Sequence, residues 1–447
     1  MKDQHFETVL ALLEENNISG LQQMFRELHE ADIAAILNEL PSDAMRRLFR
    51  LLDEELASEV LPELNDDVLD DVLDHIQENR LVKILDEMDS DEATDIVAEL
   101  DAQRSEKVLA SLENLDREDS DEIRQLLAYD EETAGGIMQT EIIAVEQHLH
   151  RDVIIEHIRE NLDEVDNLHY VFVTDNENKL IGVLEITRLL LAKQNRSALE
   201  LMDDGVISAH VNTDQEEVAN IFRKYDIYIL PIVDDENHLL GRITVDDVID
   251  VIDEEASEDA YKMVGLERED RVFTSPLSSV GKRLPWLTLN LFTALLVSSV
   301  VGIFEHTIAQ LSFLAVLMPI VAGLGGNSGT QTLTVITRGI AMGELTLRNT
   351  YRAILKEITV GVVNGLIVGS SAMLIAYLLK GDIMLGVVLG CAMVVNMFIA
   401  GLFGSIIPVI MKAVRIDPAL ASSVMITMLT DIGGYASFLG LATLLLL

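Results

Sequence analysis

In the stretch MITMLTDIGGYASFLG, residues 425–440, one aspartate, Asp431, stands among residues that are otherwise apolar, hydroxylated or glycine. A carboxylate in such surroundings costs roughly 2.5–3.5 kcal/mol on insertion scales unless it faces water, a partner or a metal ion. The chemistry open to it is the holding of a cation. On the same stretch Ser423, Thr427, Thr430, Asp431 and Gly434 follow helical spacing and form a polar stripe. A second stripe, Asn327, Thr330, Gln331, Thr334 and Thr337, runs through PIVAGLGGNSGTQTLTVITRG. Close helix packing accounts for the small and hydroxylated residues by themselves. A neutral Asp431, hydrogen-bonded in a packed interface, is a further rival. A water-filled cation pathway between two helices accounts for the carboxylate as well.

The elements that must position Asp431 are membrane helices. Apolar stretches long enough to span a bilayer recur at about 286–304, 311–337, 358–379, 383–411 and 418–446. If they alternate, Lys282, Arg283, Arg338, Arg348, Arg352, Lys356, Lys412 and Arg415 share one side and only Lys380 takes the other. The positive-inside rule then puts the N-terminal portion in the cytoplasm and the C-terminus outside. Charge divides the chain in the same way. Residues 1–270 hold 70 of the 76 acids and 22 of the 32 Lys and Arg, a net charge of −48. So negative a soluble part is repelled by nucleic acid and anionic lipid and attracts cations. The lone Cys391 permits no intramolecular disulfide, and MKDQHFETVLALLEENN lacks the pattern of a secretory signal.

Residues 24–112 carry a twelve-residue beat. Met24-Phe25-Leu28, Ile36-Leu37-Leu40, Leu48-Phe49-Leu52 and five further triplets ending at Leu112 recur without slipping, with Pro41, Asp53, Asn65, Asp89 and Asp101 at junctions. Each unit reads as a short helix that cannot bury its stripe alone, so the expectation is an α-superhelical solenoid. Its exposed faces carry acids, among them Glu59 and the series Asp91, Asp95, Glu99. A solvated acidic surface explains any one of these; a metal ion becomes attractive only where another segment adds oxygens.

Beyond TAGGIM at 133–138, VFVTDNENKLIGVLEITRLL (171–190) and PIVDDENHLLGRITVDDVID (231–250) each read as strand, polar turn, strand and helix start, with Gly182 and Gly241 in matching places and an amphipathic helix ahead of each. The pair resembles tandem CBS domains, modules that often bind adenine nucleotides. Thr244 and Asp247 of TVDD match the family's ribose-binding positions, whereas Glu185 and Arg188 stand there in the first copy. The next segment, VDDVIDVIDEEASEDAYKMVGL (245–266), is a helix with an apolar stripe and a heavily acidic opposite face.

The whole order is similar to the MgtE family of magnesium channels and transporters, most specifically at TAGGIM, NTDQEEVANIFRKYDIYILPIVDD, EEASEDAYKMVG, GLGGNSGTQ and LTDIGGY. That resemblance implies a multidomain membrane protein: an acidic all-α N-domain (1–131), tandem α/β CBS domains (132–245, the copies at about 138–200 and 201–250), an acidic plug helix (246–272) and a five-helix all-α membrane domain (273–447). It implies a homodimer in the bacterial cytoplasmic membrane, with Asp431 in the pore and Asn327 and Thr427 beside it. It further implies sensor Mg2+ ions held by acids drawn from Glu59, Asp91, Asp214, Glu216, Asp226, Asp247, Asp250, Glu255, Glu258, Asp259 and Asp417, with Asp95 as a neighbour of that set and ATP as a further CBS ligand.

The expected function is Mg2+ import, closed when the sensor acids fill. Two carboxylates about 6 Å apart at an effective dielectric near 20 repel by roughly 3 kcal/mol before salt screening, and about 5.5 kcal/mol drives a two-state element from one form to the other. Carriage of Mn2+, Co2+ or an anion, and a non-conducting nucleotide sensor, are the alternatives. Asp431 disfavours the anion, and a mere sensor leaves both polar stripes without a role. An enzyme is not expected: there is no P-loop, no HExxH and no cysteine–histidine arrangement, and His169 and His210 read as ordinary module structure.

Overall fold

The computed structural model describes residues 2–161, 168–266, 270, 272, 274–346, 348–419 and 422–447. The chain forms two compact units, 1–251 and 252–447. The first opens with the helices α1 (Lys2–Glu14), α2 (Ile18–Phe25), α3 (Glu30–Asn38), α4 (Ser42–Phe49), α5 (Glu54–Val60), α6 (Asp66–His75), α7 (Glu78–Leu85), α8 (Ser90–Ala98), α9 (Ala102–Leu112) and α10 (Arg117–Leu126). The twelve-residue beat is their packing period: Phe25, Ile36, Leu37, Leu48, Phe49, Val60, Leu61, Val72, Leu73, Ile84, Leu85, Ile96, Val97, Val108 and Leu109 are all buried in one core. The junction residues Pro41, Asp53, Asn65, Asp89 and Asp101 are the N-caps of α4, α5, α6, α8 and α9. At Asp101 the carboxylate accepts the amides of Gln103 and Arg104 at 3.0 and 3.1 Å, satisfying donors that the first turn leaves open.

Two α/β repeats follow. The first comprises β1 (Ala144–Glu146), α11 (Arg151–Glu160), β2 (Tyr170–Thr174), β3 (Leu180–Glu185), α12 (Ile186–Leu191) and α13 (Ala198–Leu201). The second comprises β4 (Ala209–His210), α14 (Gln215–Tyr225), β5 (Ile229–Val233), β6 (Leu239–Thr244) and α15 (Val245–Met263), a helix that continues past residue 251. The sheets run β1-β2-β3 and β4-β5-β6, each a parallel pair followed by an antiparallel hairpin. Gly182 faces Val173 and Gly241 faces Ile232, each beside a register shift, so the matching glycines mark matching irregularities.

The copies also complete each other's sheets. Val183 of β3 exchanges backbone hydrogen bonds with Asp203, from the segment leading into the second copy, while Arg242 of β6 exchanges them with Gln139, from the segment leading into the first. The two turns meet as well: Leu180 donates to the Asn237 carbonyl at 2.9 Å and Leu239 to that of Asn178 at 3.3 Å.

Helical residues touch the start of the first repeat through a polar knot. Ser90 donates through its amide and its hydroxyl to Glu141, both at 2.9 Å, and the Thr140 amide donates to the Ser90 oxygen at 2.9 Å. Close by, burial and then the charges of Asp116, Asp86, Glu122 and Glu141 push Asp119 up from 3.8 to about 7.

The second unit contains the rest of α15, then α16 (Pro276–Ile303), α17 (Glu305–Gln310), α18 (Leu314–Ala341), α19 (Thr350–Lys380), α20 (Ile383–Ala413) and α21 (Ser422–Leu446). Among the described residues four helices are long and apolar enough to cross a membrane, those at 276–303, 350–380, 383–413 and 423–446. The expected second span, α18, is 28 residues long and is not among the four; it carries the polar stripe. Residues 420 and 421, inside the expected last span, lie outside the described residues.

At the centre of this unit α20 packs against α18, α19 and α21. Asn396 of α20 is fully buried, and its Nδ2 donates to the Val321 carbonyl of α18 at 2.8 Å. Gly325 and Gly434 make that approach possible: a Cβ would stand 2.0 Å from Asn396 Nδ2 at the first and 2.7 Å at the second.

Two outcomes follow from these contacts. Gly325→Ala is expected to destabilise the detergent-purified chain by about 1–3 kcal/mol through overpacking, lowering its melting temperature, and Asn396→Ala in the same chain is expected to recover part of the loss. An unchanged melt for Gly325→Ala counts against this packing. Asp119 binds its proton more tightly folded than unfolded, so its contribution is fully present below about pH 4 and is lost as the pH rises through about 7. Melts in divalent-free buffer should therefore fall between pH 5 and 8, and Asp119→Asn should flatten the slope and melt higher at pH 8. A slope equal to the native one contradicts this.

Candidate functional site

Asp431 sits on α21, half-buried, at a cavity of about 370 Å3 lined by Val264, Asn290, Thr293, Ser423, Thr427 and Asp431 among others. Its carboxylate has no hydrogen bond or ion pair to another described residue. Thr427 shares the cavity, as expected; Asn327 does not line it. Asn290 and Thr293, an i, i+3 polar pair of α16, were missed at the sequence level, though their spacing within TLNLFT is the available signal.

Each expected stripe is divided by the packing. On α21, Ser423, Thr427 and Asp431 stay open, whereas Thr430 and Gly434 are buried. Thr430 turns its hydroxyl back to the Ile426 carbonyl at 2.8 Å. On α18, Asn327, Thr330, Gln331 and Thr334 are exposed while Thr337 is buried, so the first four alone form a continuous polar face. Thr430 and Thr337 are thus packing residues, and Gly325 and Gly434 serve helix contact rather than standing open beside Asp431.

The end of α15 reaches this region. The Thr334 hydroxyl contacts Met263 Sδ at 3.9 Å, Val264 lines the Asp431 cavity, and Gly265, at φ +75°, abuts Trp286. One turn back, Glu258, Asp259 and Lys262 meet Asp417. Lys262 Nζ is 2.9 Å from Asp417 Oδ2 and also pairs with Glu258. Burial pulls the ammonium pKa down, but those two carboxylates outweigh it and hold the pKa above its ordinary value. Burial, then the charge of Asp417, raises Asp259. Glu255 lies on the same helix about one turn earlier.

In the first unit, Asp91 and Asp247 come together. Asp91 is buried and its Oδ1 has no hydrogen-bond partner among the described residues; burial first and Asp247 second raise its pKa well above the ordinary range. An orphaned carboxylate oxygen facing a second carboxylate is a donor set that fits a hard divalent cation. Glu59, Asp95, Asp214, Glu216, Asp226 and Asp250 are exposed, and Asp214 caps α14 by accepting the Glu216 amide at 2.9 Å. Among the described residues, only Asp234, Glu236 and His238 bring three ligand atoms within 4.8 Å, and none was an expected ligand. Their geometry is that of a turn: Asp234 accepts the amides of Glu236 and His238 at 2.9 and 2.7 Å, as Asp175 accepts those of Glu177 and Lys179 in the first copy.

Thr244 and Asp247 are bound to each other. Asp247 Oδ2 accepts the Thr244 amide at 2.9 Å and its hydroxyl at 2.7 Å. Thr244 also lines a cavity of about 290 Å3 with Gln139, His169, Tyr228, Arg242 and Asp246. His169 and Tyr228, with ring centroids 6.3 Å apart, form part of that cavity's wall.

Comparison with known proteins matches the chain along most of its length. The family described as MgtE intracellular N domain matches residues 28–132, the CBS domain 134–195 and 198–254, and the MgtE divalent cation transporter 318–441. The magnesium transporter MgtE of Enterococcus faecalis is 36% identical over 327 residues, covering 73% of this chain and 72% of that protein. That of Thermus thermophilus is 34% identical over 333 residues, covering 73% and 72%. A crystal structure of the cytosolic domain of the Mg2+ channel MgtE in complex with ATP is 30% identical, with a TM-score of 0.52, and covers 55% of this chain and 99% of that one. A helical N-domain, a tandem CBS pair and a set of apolar helices ending in the Asp431 segment accordingly make this chain a member of the MgtE family.

Proposed function

We propose that the chain imports Mg2+ across the bacterial cytoplasmic membrane as a homodimer, through a conduit lined by α18 and α21, with Asp431 as the pore carboxylate. The observation that carries this is Asp431 itself: a half-buried carboxylate on an apolar helix, without ion pair or hydrogen bond to another described residue, at a cavity lined by Thr427, Ser423, Asn290 and Thr293. Mg2+ sheds water reluctantly. A pair of such carboxylates, one from each subunit, would therefore hold the ion in its hydrated form, with the exposed face of Asn327, Thr330 and Gln331 offering further oxygens. In this reading α18 is the second of five spans despite its polar stripe, because that stripe faces water rather than lipid. The resulting orientation has the N-terminus inside and the C-terminus outside.

The same reading divides the chain into an N-domain (1–131), a CBS pair (132–245), a plug helix (246–272) and a membrane domain (273–447). The sensor ions belong to the acids of Glu59, Asp91, Asp95, Asp214, Glu216, Asp226, Asp247, Asp250, Glu255, Glu258, Asp259 and Asp417. Support comes from the orphaned oxygen of Asp91 beside Asp247 and from Lys262, whose ammonium stands between Glu258 and Asp417 as a tethered cation. A divalent ion arriving there has to displace it. Because Val264, at the foot of α15, lines the Asp431 cavity, filling these sites would fix the helix end at the mouth of the conduit and close it. ATP, bound by the relative of known structure, is assigned to the cavity lined by His169, Tyr228, Arg242 and Thr244.

Flux into proteoliposomes tests the pathway: Asp431→Asn is expected to abolish Mg2+ entry while the chain still elutes as a folded dimer, and Mn2+, Co2+ and Ca2+ should compete less well than Mg2+. Native-like flux from Asp431→Asn overturns the assignment. Gating is tested separately. Lys262→Met should lower the Mg2+ concentration that halves flux, by removing a competitor, and Asp417→Asn should raise it; the reverse order rejects Lys262 as the displaced cation.

A further inference from the structure

Residues 1–131 contain 37 acids and only 11 Lys and Arg, yet three of those eleven line a single cavity. It lies among α4, α6 and α7, has a volume of about 370 Å3, and is walled by Arg46, Arg50, His75, Gln77, Arg80 and Phe49. Arg80 is fixed in place. Its Nη2 donates to the carbonyls of Phe49 and Leu52 at 3.1 and 2.7 Å, and its guanidinium lies 5.5 Å over the Phe49 ring. Arg46 Nε is buried, 3.1 Å from Asp71 Oδ2, yet has no hydrogen-bond partner. The Arg50 side chain has no hydrogen bond or ion pair to a described residue. His75 is held through Nδ1 by the Asp71 carbonyl at 2.8 Å, which leaves Nε2 available.

The solenoid does not need these cations. At twelve-residue intervals the position of Arg46 is taken by Ala34, Ser58, Asp70 and Val82, and that of Arg80 by Ala44, Leu56, Val68 and Glu92. Nor are they fully neutralised. Asp71 serves both Arg46 and His75, Glu54 acts on Arg80, and Asp43, 3.9 Å from Arg46, is fully open to solvent, where screening makes a pair weak. Guanidinium forks match the oxygens of a phosphate group bidentately and hold it more strongly than single neutral donors do.

We propose that this cavity binds a small anion carrying a phosphate group, gripped by Arg46, Arg50 and Arg80 in the middle of an otherwise anionic domain. The site is separate from the Mg2+ and CBS sites and does not depend on their assignment. The phosphate can belong to a free inorganic anion or to a nucleotide.

The test is calorimetric titration of the full-length chain in detergent and divalent-free buffer with sodium pyrophosphate and, separately, with ADP. Saturable binding of one pyrophosphate per chain is expected. Arg50→Gln, which breaks no internal bond, should weaken it by about tenfold, as expected for a lost charge-assisted contact, and Arg46→Gln added to it should remove it, with circular dichroism unchanged. If the ADP isotherm is unchanged while the pyrophosphate heat is lost, the ligand is the inorganic anion; if one component of the ADP isotherm is lost together with the pyrophosphate heat, it is the nucleotide phosphate. Absence of saturable pyrophosphate binding at millimolar concentration, or an affinity untouched by the double change, overturns the proposal.

Discussion

A carboxylate removed from water without a counter-charge is the constraint on which both units turn. The first unit meets it at Asp91, whose oxygen finds no donor and whose neighbour Asp247 repels it. The second meets it at Asp431 in an apolar helix, whereas at Glu258 and Asp417 the ammonium of Lys262 supplies the counter-charge. An uncompensated buried charge is far more costly than an exposed one, so neutralisation matters more at these places than at any one exposed acid around them. The exposed acids set a long-range negative field that attracts cations.

Much of this was legible in the sequence because it rests on periodicity. The twelve-residue beat made the helical core readable down to individual triplets, since a solenoid repeats the same burial at each step. The duplicated hairpins were equally readable: Gly182 and Gly241 occupy the same ladder position because the same irregularity recurs there. Asp431 declared itself by chemistry alone.

What sequence spacing missed was which of two helical faces a packed neighbour covers. Thr430 and Gly434 fall in step with Asp431, yet both are buried, Gly434 against Asn396 of α20 and Thr430 facing Gly329 of α18, and no pattern within α21 predicts what another helix brings. Asn290 and Thr293 escaped for the converse reason. On α16 two polar residues amid many apolar ones look incidental until the fold sets them beside Asp431. The Arg46, Arg50, His75 and Arg80 group was hidden by composition, because a domain so rich in acids does not suggest a basic cavity.

The reciprocal bonding of Val183 with Asp203 and of Arg242 with Gln139 bears on why the α/β module comes as a pair. Each three-stranded sheet has an outer strand whose unpaired amides would invite association with other chains. Here the lead-in peptide of one copy seals the open border of the other. A lone copy would leave that border open, so the duplication protects against aggregation.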